Sequence, residues 1–120
     1  MPLVVITANR ARDELTWDVL RQFAERLQPE VAHVLTCDDE GGQLTRHDIE
    51  VEVRDLNPQR SIGGDQYDIR IVVLANDYPT RRADLFERSE QLTDQLQPLL
   101  PEGIHGFVWI LLAPAAFVEF

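Results

Sequence analysis

Three observations predict an α+β fold: two βαβ units in one mixed four- to six-stranded sheet, with two helices on one face. Four short runs have the composition and length of strands, two longer stretches have the periodicity of amphipathic helices, and the two halves of the chain repeat this order. The 120 residues leave room for one domain, expected as pseudo-repeats at 1–64 and 65–120.

The first strand is the apolar run Leu3-Val4-Val5-Ile6. In the second, Ile49, Val51 and Val53 alternate with Glu50, Glu52 and Arg54, the period of a strand buried on one side. The third, Ile69 to Leu74, is apolar apart from Arg70, and the fourth, Phe107 to Leu112, is apolar throughout. The first helix opens at Asp13 as N-cap, carries Leu15, Val19, Leu20, Phe23, Ala24 and Leu27 as one apolar stripe, and stops at Pro29. The second runs from about Arg82 to Gln97, with Leu85, Phe86, Leu92 and Leu96 turned inward. Arg81 and Arg82 are expected on the open face at its start. Between the halves, Val31 to Cys37 reads either as an extra strand or as a further helical turn, and Asp38 to Gly42 reads as an exposed turn.

The halves open alike, with Val4-Val5-Ile6-Thr7-Ala8-Asn9 matching Ile71-Val72-Val73-Leu74-Ala75-Asn76. A repeat near 70 residues suits a duplicated βα unit. The first and last strands are apolar on both faces, yet two helices cover only one side of a sheet. Another copy of the chain is the expected cover, so the residues themselves point to a homo-oligomer.

The composition narrows the chemistry. Net charge is −10, from 21 acidic and 11 basic residues, a field that repels polyphosphates and argues against nucleic acid. All 11 basic residues are arginine, which removes lysine Schiff-base chemistry and leaves the guanidinium fork that clamps carboxylates. No apolar run has membrane-spanning length, no segment reads as a leader, and the single cysteine, Cys37, fits a reducing compartment. A cytoplasmic protein with no membrane partner is expected. His33, Cys37 and Asp38 offer too few ligands for zinc, and Gly63-Gly64 is a turn signal rather than a phosphate loop. No metal and no cofactor are expected.

Proline follows Met1 and leads straight into the first strand. Asn9 lies seven residues after Pro2 and Arg12 ten after it. Leu44-Thr45 precedes the second strand, which leads through Leu56 to Ile62-Gly63-Gly64, and the chain closes on Ala115-Ala116-Phe117-Val118-Glu119-Phe120. This ordered set resembles the tautomerase superfamily, especially the fused branch that includes macrophage migration inhibitory factor. The first half is also similar to 4-oxalocrotonate tautomerase. The match spans most of the chain, with residues 30–43 as an insertion. The resemblance implies a trimer, a glycine hairpin at Ile62–Gly64, and a catalytic Pro2.

With Met1 removed, Pro2 carries a secondary amine. An α-amino group ordinarily titrates at about 7.7–8.0, and burial beside Leu3, Phe107, Trp109 and arginines disfavours its charged form. A base poised near neutral pH is what proton transfer beside a carbonyl requires. The resemblance therefore implies keto–enol tautomerisation of a small carboxylate-bearing 2-oxo acid. Arg12 is the candidate carboxylate grip, against a solvated loop position. Arg70, inside an apolar strand, needs a partner, either a protein carboxylate or the substrate. Phe107, Trp109 and Phe117 are candidate pocket walls, and Trp109 is equally suited to core packing. Where the oxalocrotonate enzyme has its second arginine this chain has Asp48, and it lacks the lysine of the cytokine branch. Trp109 and Phe107 stand where that branch has a pocket asparagine and tyrosine. These departures leave two alternatives: a non-catalytic oligomeric binding protein on the same scaffold, or a related proline-dependent hydratase, dehalogenase or decarboxylase.

Overall fold

Each predicted strand forms, within a few residues of its expected bounds, because alternation is a local property of the chain. The computed structural model describes residues 2–57, 67–114, 116 and 118–120. Strand β1 spans Leu3–Ala8, β2 Glu50–Asp55, β3 Ile69–Asn76 and β4 Gly106–Ala113. They form a four-stranded sheet in the order β2-β1-β3-β4. The outer pairs β1–β2 and β3–β4 are parallel, and β1 and β3 meet antiparallel at the centre. Each half is thus a βαβ unit, and the two join through their first strands. The expected hairpin at Ile62–Gly64 lies outside the described residues.

Register assigns each side chain to a face. Leu3 pairs with Glu50 and Leu74, and Leu74 pairs with Leu111; Val5 pairs with Glu52 and Val72, and Val72 pairs with Trp109. The alternate positions Val4, Ile6, Ala8, Ile69, Ile71, Val73 and Ile110 are buried in one cluster with Leu20, Phe23, Leu27, Val31, Leu92 and Leu96 of the helices. Both long helices therefore cover one face. Leu3, Val5, Val72, Leu74, Trp109 and Leu111 stay on the other, where Leu74 is 39% and Trp109 57% exposed. The two-sided apolar character of β1 and β4 is real, and among the described residues of one chain no helix covers its second side.

Helix α1 spans Trp17–Leu35, starting later and ending later than expected. Thr16, not Asp13, is the N-cap: its hydroxyl accepts from the Val19 amide at 3.2 Å. Residues 9–15 instead form turns, with the Asn9 side chain accepting from the Ala11 amide at 3.0 Å. Pro29 does not stop the helix. It lies on the solvent side together with Glu25, so the carbonyl whose intrahelical donor it removes faces water. Burial of Val31, Ala32, Val34 and Leu35 beyond it rewards continuation. Of the two readings of 31–37, the helical turn is the one that forms.

The second predicted helix is divided. Helix α2 spans Pro79–Ala83, with Pro79 in its first turn, and α3 spans Leu85–Leu96. The break falls at Asp84, whose carboxylate accepts from Arg88 Nε at 2.6 Å. Leu92 and Leu96 are buried, but Phe86 is 71% exposed and does not join the core. No helix among the described residues is long and apolar enough to cross a membrane.

Candidate functional site

Antiparallel pairing at the centre sets the two ends of the sheet apart. The start of β1, the start of β2 and the finish of β3 meet at one end. The Pro2 carbonyl there accepts from the Glu50 amide at 3.2 Å, extending the β1–β2 ladder by one residue. Pro2 is buried, and it lines a cavity of about 20 Å³ together with Gly41, Leu44, Asn76, Tyr78 and Arg81. That volume holds about one water molecule or one ligand oxygen.

The wall opposite Pro2 is built by the loop that follows α1. Gly41 adopts φ +79, a left-handed conformation that disfavours other residues. A Cβ on Gly42 would collide with Cys37 Sγ and with backbone oxygens, so this turn folds tightly against the end of α1. Asp38, Glu40 and Gly41 are exposed as expected of a turn, whereas Gly42 and Cys37 are buried. Asp39 Oδ2 accepts from the Thr80 amide at 3.1 Å, which ties the loop to α2.

Arg81 occupies the centre of this arrangement. It was expected on an open face and is instead 1% exposed. The correction has a clear cause. The last carbonyls of α1 lack intrahelical donors, and a buried helix end needs them supplied. Arg81 donates from Nε to Leu35 O at 2.9 Å, from Nη1 to Asn76 O at 2.9 Å and from Nη2 to Gly42 O at 3.4 Å. Arg88 supplies Val34 O and Thr36 O in the same way. The Arg81 guanidinium also lies over the Tyr78 ring, 5.0 Å from its centroid. Burial pushes Arg81 below its ordinary value, while Cys37, Tyr78 and Asp39 pull the other way.

The other predicted site residues lie elsewhere in the chain. Arg12 follows β1 at its far end, about 20 Å from Pro2 by the rise of a six-residue strand. It donates from Nη1 to Asp68 Oδ2 at 3.0 Å and from Nε to Glu14 Oε2 at 3.3 Å. The Glu14 hydrogen bond and the charges of Asp68 and Glu14 raise its pKa. Arg70 stands in register with Thr7 and Phe107 on the helix-free face, toward the same far end. Phe107 packs edge-on against Tyr67, centroids 4.9 Å apart, and Trp109 occupies the middle of that face. Phe117 lies outside the described residues. One chain therefore does not bring Arg12, Arg70, Phe107 or Trp109 to Pro2. A larger cavity, about 140 Å³, also lies at the far end, between α3 and β4, lined by Ile69, Leu96, His105 and Phe107 among others. His33 is exposed while Cys37 is buried, and among the described residues no group of three His, Cys, Asp or Glu is placed to hold a metal.

Sequence reasoning missed Gly41, Leu44, Asn76, Tyr78 and Arg81. The pseudo-repeat offered one signal: Ala75-Asn76 echoes Ala8-Asn9 at a strand end. Nothing local marks Arg81, because its burial depends on a helix end nearly fifty residues earlier.

Two βαβ units joined through antiparallel first strands, with helices on one face, are the fold that this chain shares with several solved structures. The sequence resemblance thus holds at the level of the fold. No family model and no curated protein matches the chain by sequence. Among solved structures, a malonate semialdehyde decarboxylase is similar at TM-score 0.66 and 14% identity, over 98% of this chain and 89% of that one. A macrophage migration inhibitory factor-like protein from Entamoeba histolytica is similar at TM-score 0.61 and 13% identity, over 94% and 89% of the two chains. A fused 4-OT, a wild-type symmetric trimer, is similar at TM-score 0.61 and 12% identity, over 93% and 85%.

Proposed function

We propose that this protein is a tautomerase acting on a small 2-oxo acid, with the Pro2 amine as general base once Met1 is removed. The observation that carries the reading is the burial of Pro2 in a cavity that also holds a cationic side chain. Low polarity and a nearby positive charge both disfavour a second cation, so the amine stays neutral and basic near neutral pH. It takes a proton from the carbon beside the carbonyl and delivers it to the carbonyl oxygen, giving the enol, and in the reverse direction moves the proton from that oxygen back to the carbon.

In this reading the working unit is a homo-oligomer, a trimer by analogy with the fused 4-OT. The uncovered face around Trp109 is the surface that a neighbouring copy occupies. Arg12, Arg70, Phe107, Trp109 and Phe117 then serve a neighbour's Pro2 rather than their own, as substrate-binding residues. A cavity of about 20 Å³ in one chain is too small for a 2-oxo acid, which fits a site completed between copies. The partners are a small carboxylate-bearing substrate and further copies of the chain, in the cytoplasm, without a cofactor.

A second reading is a decarboxylase or hydratase using the same proline as an acid. It is favoured by the likeness to malonate semialdehyde decarboxylase, solved with a view to its decarboxylase and hydratase activities.

The test is ketonisation of enol-phenylpyruvate by protein of verified intact mass lacking Met1. Pro2→Ala should cut the rate at least a hundredfold, within the usual range for losing a general base; equal rates in the two proteins overturn the proposal. Trp109→Glu should reduce the particle mass in sedimentation to that of one chain, 13.8 kDa. An unchanged mass removes the assembly argument.

A further inference from the structure

Both halves carry Leu-Gln-Pro late in their long helix, as Leu27-Gln28-Pro29 and as Leu96-Gln97-Pro98, and they part company there. Leu27 and Leu96 are both buried. In the first half the helix runs on, and Gln28 Nε2 donates to Ile49 O at 3.0 Å. Ile49, the residue before β2, is buried, so the junction of helix and strand is closed. In the second half α3 gives way to a 3-10 turn at Gln97–Leu99, and Gly103 turns the chain at φ +84 on its way to β4. The residue before β4 is His105, which is exposed, and its carbonyl already accepts from the Asp68 and Ile69 amides at 2.7 and 3.3 Å. The Gln97 side chain makes no hydrogen bond among the described residues.

The junction left open is the cavity of about 140 Å³. Gly106 shares the helix side of β4 with Val108 and Ile110, yet a Cβ there would collide with Ile69, so no side chain from that position closes the space. The floor is the buried Ile69, Ile71 and Leu96, and the exposed Thr93, Gln97 and His105 stand at the rim. An apolar floor with a few polar groups at the mouth is how small-molecule sites are built. An apolar cavity of about 150 Å³ holds one benzene ring.

We propose that this cavity, at the opposite end of the sheet from Pro2, is a second small-molecule site that takes a neutral one-ring aromatic molecule bearing a single hydrogen-bonding group. The ring lies on the apolar floor. Its polar group meets the Gln97 amide, which can donate and accept, and the His105 imidazole. His105 stacks on Tyr67, ring centroids 4.9 Å apart, so it is oriented before a ligand arrives. The net charge of −10 disfavours an anion, which separates this ligand class from the carboxylates proposed for Pro2. The site does not depend on what Pro2 does.

The experiment is a methyl NMR titration of the whole, isoleucine-labelled protein with phenol, and with benzoate as a charged counterpart. The Ile69, Ile71 and Ile104 signals should shift saturably with phenol, while Ile49, at the closed junction, stays still. Benzoate should bind at least about tenfold more weakly, because its charge would enter an apolar space. Val108→Phe, which fills the cavity from β4, should weaken phenol at least about tenfold. Gln97→Leu should weaken phenol and leave toluene unchanged. No saturable shift at the three isoleucines, equal movement of Ile49, or equal affinity for benzoate overturns the inference. So does a folded Val108→Phe protein that binds phenol like wild type. Where Val108→Phe fails to fold, the wild-type titration and Gln97→Leu decide, and a Gln97→Leu protein that weakens phenol and toluene equally overturns the assigned polar contact. Pro2→Ala should bind phenol like wild type; loss of binding in that variant overturns the placement of the site. A tautomerase rate unchanged in Pro2→Ala removes the proposed function and leaves this inference standing.

Discussion

Arg81 and Arg12 carry the same side chain at opposite ends of one sheet and live under different electrostatic rules. Arg12 is part-exposed and pairs with two carboxylates, Asp68 at 3.0 Å and Glu14 at 3.3 Å. Arg81 is buried, and among the described residues it donates to three carbonyl oxygens and lies over the Tyr78 ring. Water and salt screen the first site, so its attraction is modest and its charge is locally cancelled. Low polarity magnifies the second, and its charge is not cancelled. The comparison teaches that an arginine expected on an open face can be the buried one, while the arginine expected to grip a ligand is paired within its own chain.

The largest effect expected from this contrast is on stability. Arg81→Met should lower the unfolding free energy by about 3 kcal/mol in urea denaturation, because buried carbonyls of three segments lose charge-assisted donors. Arg12→Met should lower it by much less, as for other solvent-screened ion pairs. Equal losses would erase the distinction between the two ends.

Asp68 sharpens the far end. Its Oδ2 accepts from both Arg12 and the His105 amide, at 3.0 and 2.9 Å. Asp68→Asn keeps an acceptor for the amide and loses the charge, so a loss of about 1 kcal/mol is expected in the same denaturation assay. A loss as large as that of Arg81→Met would mean that the far end is the more strongly coupled one.

Acid titration gives a smaller, signed difference. The Glu14 carboxyl is held below its ordinary value by a backbone hydrogen bond and by Arg12. Its contribution to stability is therefore present above the ordinary glutamate range and fades as pH falls through the depressed folded value. Glu14→Gln should flatten that acid limb of a stability-against-pH curve by lowering stability at neutral pH while leaving the most acidic end unchanged; a difference that grows as the pH falls would contradict the assignment. Smallest of all, added salt should narrow the gap between wild type and Arg12→Met while leaving the gap for Arg81→Met nearly constant in thermal melts.

What the sequence determined by itself was whatever depends on neighbours along the chain. The alternation of Ile49 to Arg54 and the apolar runs at Leu3, Ile69 and Phe107 specify strands because a side chain's face follows from its parity. The stripe from Leu20 to Leu27 specifies a helix, and the repeated halves specify two βαβ units whose helices leave one sheet face bare. The tertiary structure decided what depends on distant partners. Thr16 rather than Asp13 caps α1 because residues 9–15 are spent on turns. The helix passes Pro29 because Val31 to Leu35 find a core and Arg81 and Arg88 finish its end. Arg81 is buried beside Pro2, and Arg12 is not, because antiparallel pairing of β1 and β3 sends the two arginines to opposite ends of the sheet. Periodicity is written in adjacent residues, whereas burial, capping and charge compensation are settled only when segments far apart in sequence meet.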